Sequence, residues 1–342
     1  MILSFRQQLL YPLLVALVGF GIASVVDISD LPHQSHYDTF TYTLLAVGLY
    51  GSVYGIHAGE LKDHTKIVLQ AITIGVLLKT IIIGFALYLV TWSPVAFLLG
   101  LTVAQIDPLA VANLLQEETT KLSTRAKTIL GAWSSFDDPM TVLLSVYALY
   151  FFLPQSGSGS LLSSVIPFFT GLAQNLLFVL AVYLVHKYLN LNSTATIALL
   201  VICFVTAIYF KWMLGIAVIG LFLRPDIKQL PLIISTAFYV AVLLLGFLLV
   251  NGVFWVEGLV LGVGAILAQI IVGLLLTRNL PYNERLYLAF AQQNGITAMI
   301  LALFFEKDLS GTVGIVAPAI IFINLGYYLF NRVIFRRATG QG

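Results

Sequence analysis

The chain has 342 residues, of which 60% are hydrophobic and 9% charged, with a formal net charge of +2. A soluble domain carries roughly 25% charged residues, so this composition marks an integral membrane protein and gives no ground for a nucleic-acid partner. A single cysteine, Cys203, excludes an intramolecular disulfide and any cysteine metal cluster.

A helix needs about 20 apolar residues to cross the hydrocarbon core. Twelve such stretches follow one another, at about 9–26, 40–57, 67–91, 94–116, 128–153, 162–188, 193–209, 212–223, 231–253, 256–277, 284–305 and 312–335. The first follows Arg6 and ends near Val26 without a convincing small-residue cleavage site, so it reads as an uncleaved span. Between the stretches no polar segment is long enough to fold alone, and residues 1–342 form one membrane domain.

Lysine and arginine test this count, because cytoplasmic loops hold an excess of them. Assigning alternate loops to opposite sides puts fourteen basic residues on one side and only Lys211 and Lys307 on the other, with Lys79 left inside the third span. Both termini are therefore expected in the cytoplasm, and the loops at 27–39 and 154–160 outside.

Taken in chain order, the second span carries a stripe of Gly51, Gly55 and Gly59. Such a stripe permits close helix approach, within the chain or between two copies, and a homodimer is expected. The fourth span holds Asp107-Pro108 near its midpoint. Proline removes a helical hydrogen bond, and Asp followed by Pro is also how helices begin, so this span reads as two half-helices. The fifth contains GAWSSFDDPMTVLL, in which Asp137 and Asp138 are adjacent and precede Pro139. The tenth has Gln269 as its polar centre, and the eleventh has Gln292, Gln293, Asn294 and Gly295 at its middle, with Gly295 the expected breaking point.

Spans three to five and ten to twelve thus share an order but run in opposite directions, with an interrupted helix central to each set. That is the inverted-repeat pattern of secondary transporters. Ionised side chains at membrane depth are costly and mark pathways, and half-helix ends there line ion or substrate sites. The core of this fold is expected at about 67–153 and 256–335, with the remaining helices as scaffold or dimer contact.

Residues 137 and 138 lie about 100° apart around a helix, so one is read as binding and the other as pairing. Crowded, poorly solvated carboxylates hold protons more tightly than solvated ones. Such a group trades a proton for a cation, and Ser134, Ser135, Thr102, Asn294 and unwound carbonyls offer further oxygens to Na+.

The segments IDPLAVANLL, SSFDDPMTVLL and AQQNGITAMILALFF resemble the interrupted fourth helix, the acidic fifth helix and the late glycine-containing helix of the sodium/proton antiporter (sodium/hydrogen exchanger, monovalent cation:proton antiporter) superfamily. The resemblance covers nearly the whole chain in span count and order. It implies an all-α fold of about 12 transmembrane helices with two interrupted crossing helices, and a protein that is not an enzyme and needs no cofactor beyond the transported ions. Asp138 is then the ion and proton carrier and Asp107 supports the site, so that these two hold the monovalent cation. Asp137 matches a position that is Asp in electrogenic members and Asn in many electroneutral ones. The chain departs from the pattern at Ile106, where relatives commonly have Thr, and at Asn294-Gly295, where Arg-Gly is often seen. Span ten also lacks the lysine of many electrogenic members, and Lys79 on its symmetry partner, span three, is the expected substitute.

The resemblance implies exchange of Na+, or of K+ or Li+, for protons in a prokaryotic inner membrane, serving pH and cation homeostasis. A sodium-coupled symporter of an organic anion, of the bile-acid type, shares the architecture and is the alternative. An intramembrane aspartyl protease needs its aspartates on separate helices, unlike Asp137 and Asp138.

Overall fold

The computed structural model describes residues 10–26, 30–54, 65–116, 122–152, 161–189, 191–293 and 296–330. Among these the chain is helical, with no β-strand beyond one isolated bridge. Its helices are α1 (Tyr11–Ala23), α2 (Tyr37–Tyr54), α3 (Thr65–Gln70), α4 (Val76–Thr91), α5 (Val95–Thr102), α6 (Pro108–Gln116), α7 (Thr124–Phe152) and α8 (Leu161–Tyr188). The rest are α9 (Ser193–Phe210), α10 (Met213–Ile219), α11 (Leu230–Leu248), α12 (Trp255–Leu276), α13 (Tyr282–Ala289), α14 (Ile296–Glu306) and α15 (Thr312–Phe330).

Among the described residues six helical stretches are long and apolar enough to cross a membrane: 66–91, 169–188, 193–210, 230–251, 255–276 and 312–330. Their outward residues are apolar too, as at Leu177, Val205, Leu232 and Leu267, which suits helices facing lipid. The ends follow local chemistry. Asn192 caps α9 by accepting from the Ala195 amide at 2.8 Å, and proline opens α1 and α11 in the first turn, where its missing N–H costs nothing. The eighth predicted span is a correction. Only Met213–Ile219 is helical there, seven residues rising about 10 Å, and the chain from Gly220 to Lys228 continues in turns and irregular backbone.

Helices α3 and α4 are joined through a π-helical turn, Ala71–Gly75. Such a turn adds one residue to the helix and is often found at functional sites. Here it lies one turn before Lys79. Helix α4 packs on α5 and on α12, and α12 on α15, while α1 lies along α11. Gly84 and Gly100 let α4 and α5 approach: a methyl on Gly100 would lie 2.8 Å from the Gly84 amide nitrogen.

Helices α2 and α14 run side by side. Tyr37 donates its hydroxyl to the Leu303 carbonyl at 2.7 Å, the Tyr42 and Phe304 rings meet edge-on at 5.2 Å, and Lys307 pairs with Asp38 at 2.7 Å, both side chains 36% exposed. The expected glycine stripe enters this scaffold at Gly51, where a methyl would sit 2.6 Å from Ile234 Cδ1 of α11. That contact is within the chain. Gly55 and Gly59 lie outside the described residues.

Backbones touch most closely where α1 crosses α11. A Cβ on Gly246 would collide with the Ala16 carbonyl, and one on Gly19 with the Leu243 carbonyl. Neither partner is a side chain that can turn aside. Gly246→Val is therefore expected to lower thermal stability in detergent by several degrees, with Gly21→Ala, where a methyl meets open space, as the neutral control. A Gly246→Val protein melting with the parent would contradict this packing.

Candidate functional site

Two helices end beside each other in the middle of the molecule. Helix α5 stops at Thr102 and α6 starts at Pro108, while α13 stops at Ala289 and α14 starts at Ile296. Non-helical backbone leaves N–H and C=O groups that must find partners when buried. Here the two gaps serve each other: Ile106 pairs with Gln293 in an antiparallel bridge, and the Asp107 amide donates to the Gln292 carbonyl at 2.9 Å. Asp107 also accepts from the Ala110 amide at 3.4 Å through Oδ1, a long bond in the position of an N-cap. Asn294 and Gly295 lie outside the described residues.

Helix α7 brings its two aspartates against this crossing from one side. Asp137 Oδ2 accepts from Lys79 Nζ at 2.7 Å and from the Ile106 amide at 3.0 Å. Lysine and aspartate are both 0% exposed. The ammonium also lies 5.6 Å from the centre of the Trp133 ring, a cation–π contact that eases its burial. One carboxylate oxygen thus neutralises a buried lysine and ties down the backbone of the α5–α6 gap.

Asp138 points elsewhere, as the helical angle requires. Its Oδ2 accepts from Ser52 Oγ of α2 at 2.8 Å and from Thr297 Oγ1 of α14 at 2.9 Å. The Ser52 hydroxyl is also 3.0 Å from the Gly48 carbonyl, so its one proton has two acceptors. Asp138 Oδ1 is buried with no protein partner. Pro139 follows, and having no N–H it cannot donate to the Ser135 carbonyl one turn back. The arrangement is a buried carboxylate, two hydroxyl oxygens and one uncommitted oxygen, which can hold either a proton or a small cation.

The other expected residues fall in different places. Ser134 is buried but donates to the Gly131 carbonyl at 3.0 Å, and Thr102 donates to the Leu98 carbonyl at 2.9 Å. Ser135 is partly exposed. Gln269 does not reach the carboxylates; its amide donates to the Leu288 carbonyl at 2.9 Å, joining α12 to α13. Gln292, near the gap, donates to Asn324 Oδ1 of α15 at 3.0 Å. Sequence reasoning missed Ser52 and Thr297. The signal available was a hydroxyl beside a glycine in each helix, at Ser52 next to Gly51 in the glycine stripe and at Thr297 just past Gly295.

The residues 5–336 match the family model described as sodium/hydrogen exchanger, transmembrane. The structure of the sodium proton antiporter MjNhaP1 from Methanocaldococcus jannaschii at pH 8 superposes with a TM-score of 0.71 at 20% sequence identity, covering 97% of this chain and 94% of that one. A structure from an electron-microscopy map of the same antiporter gives 0.64 at 17% identity, covering 96% and 90%. At these identities the likeness is one of fold. No curated protein sequence matches the chain.

Removing one partner of a buried ion pair strands the other, at about 3–5 kcal/mol. Lys79→Met is therefore expected to destabilise the protein by about that much, and adding Asp137→Asn, which keeps an acceptor for the Ile106 amide, to restore most of it. A double-mutant cycle of denaturant unfolding in micelles measures the coupling, and additive effects would dissolve the pair.

Proposed function

The chain belongs to the sodium/hydrogen exchanger family, and on that premise we propose that it exchanges a monovalent cation for protons across a membrane by alternating access. Na+ is the first choice of cation, with K+ and Li+ as alternatives. The observation that carries this reading is Asp138, buried between a hydroxyl of α2 and a hydroxyl of α14 with one oxygen uncommitted. A protonated Asp138 is neutral. Once the proton leaves, its carboxylate and the lone pairs of Ser52 and Thr297 form an oxygen cage suited to a hard cation, with Asp107 balancing the exposed helix ends. Proton and cation compete for one group, and competition suffices for exchange if the site opens to one side at a time.

In this reading the whole chain is one transporter domain of about 12 spans. The helices over 67–153 and 256–335 form its inverted-repeat core, in which the gaps of α5/α6 and α13/α14 interrupt two crossing spans. The fourteen-to-two division of basic residues supports cytoplasmic termini. The protein works as a homodimer in a prokaryotic cell membrane and uses no cofactor beyond the ions it moves. An organic-anion symporter on the same architecture gains no support from the family match.

The Lys79–Asp137 pair sets the charge moved. Opening it frees Asp137 to take up a second proton, and exchange becomes electrogenic, with one charge worth about 2.3 kcal/mol per 100 mV.

Reconstituted into vesicles with an imposed pH gradient, the parent protein is expected to move protons when Na+, K+ or Li+ is added. Asp138→Asn should abolish that flux with the fold intact, and Asp107→Asn, which keeps a capping oxygen, should reduce it several-fold. Near-normal exchange by Asp138→Asn would end the assignment.

Voltage supplies a separate check. With a potassium–valinomycin potential of either sign the parent rate is expected to change in opposite directions, and Lys79→Gln to blunt the response. A rate indifferent to potential would make the exchange electroneutral.

A further inference from the structure

Hydroxyls inside this molecule follow a habit. Thr41, Ser52, Thr80, Thr91, Thr102 and Thr277 each lie within hydrogen-bond distance of the carbonyl four residues earlier in their own helix, the usual way to satisfy a hydroxyl in apolar surroundings. Thr141 and Ser145 of α7 break it. Both are 0% exposed, and neither hydroxyl has a partner in the protein. If only their volume mattered, Val and Ala would fill these positions without a buried polar group left unmade.

Their position gives the exception a meaning. From Asp138, Thr141 and Ser145 are three and seven residues on, about 4.5 and 10.5 Å further along the helix and within about 60° of the same face. The uncommitted Asp138 Oδ1 stands at the near end of this row. Helix α7 begins at Thr124, beside Arg125 and Lys127, so by the basic-residue division the row climbs from the carboxylate toward the outer face. Hydroxyls offer lone pairs to a cation or to its hydrating water without adding a charge that would trap the ion.

We propose that Thr141 and Ser145 form the outer leg of the ion path, a hydrated station of two hydroxyls through which a monovalent cation passes between Asp138 and the outer face. The proposal rests on the exchange reading above. In the described conformation the station is closed, with both residues buried, and it fills when the outer side opens.

The test uses the full chain in vesicles with Na+ as the probe. Thr141→Val with Ser145→Ala should lower the maximal exchange rate about tenfold while leaving the half-saturating Na+ concentration within twofold, because the carboxylate is untouched. Thr141→Ser with Ser145→Thr, which keeps both hydroxyls, should recover most of the rate. In a Cys203→Ser background, Ser145→Cys should react with a small charged thiol reagent supplied outside during turnover. The hydroxyl-free double variant exchanging at the parental rate overturns the path and leaves the exchange reading standing, as does a Ser145→Cys protein that stays unreactive while it turns over. Parent vesicles without any cation-driven proton flux overturn both.

Discussion

A charge buried in an apolar medium must be neutralised and hydrogen-bonded where it sits, and in this protein one atom, Asp137 Oδ2, meets both demands for three elements at once. It binds the Lys79 ammonium of α4 and the Ile106 amide in the gap between α5 and α6, and it is itself fixed on α7. Remove it and a lysine loses its counter-charge while an irregular backbone loses its donor's partner. The π turn before Lys79, the Gly84–Gly100 approach and the Ile106–Gln293 bridge all converge on this atom. Each places one of the groups that it joins.

Asp138 answers to different neighbours. Its two donors come from α2 and α14, helices that also meet through Tyr37, Tyr42 and the Asp38–Lys307 pair. The adjacent carboxylates therefore divide the labour by direction alone: about 100° of helix separates a residue tied to fixed charge from one held only by hydroxyls. Hydroxyls can turn, offering a proton or a lone pair. A group held by them can change its charge without leaving a stranded ion behind.

Much of this was legible in the chain because it is local. Asp107-Pro108 reads as a helix start, and α6 does begin at Pro108; adjacent aspartates on one helix must diverge; the apolar stretches gave most of the helices to within a few residues. The basic residue inside span three could be singled out because burying it unpaired is so costly, and Asp137 lies against it. What stayed hidden depends on contacts across the chain. Ser52 is 86 residues from Asp138 and Thr297 is 159 away, and no spacing rule joins them. Proximity along α7 instead drew attention to Ser134, and helical depth to Thr102 and Gln269. A hydroxyl in a helix has a carbonyl one turn behind it, which Thr102 takes, and Gln269 finds the Leu288 carbonyl first. The short α10 misled for another reason, since apolar composition fixes burial and not length.

The Asp38–Lys307 pair, 36% exposed on both sides, differs in kind from the buried pair at Lys79. An exposed pair contributes at most about 1 kcal/mol, and dissolved ions screen it over about 8 Å at physiological strength. The contact between α2 and α14 is thus graded along its length: dry and insensitive to the medium around Asp138, open to the surrounding electrolyte at Lys307. Brine at that end loosens the tie, and dilute water tightens it.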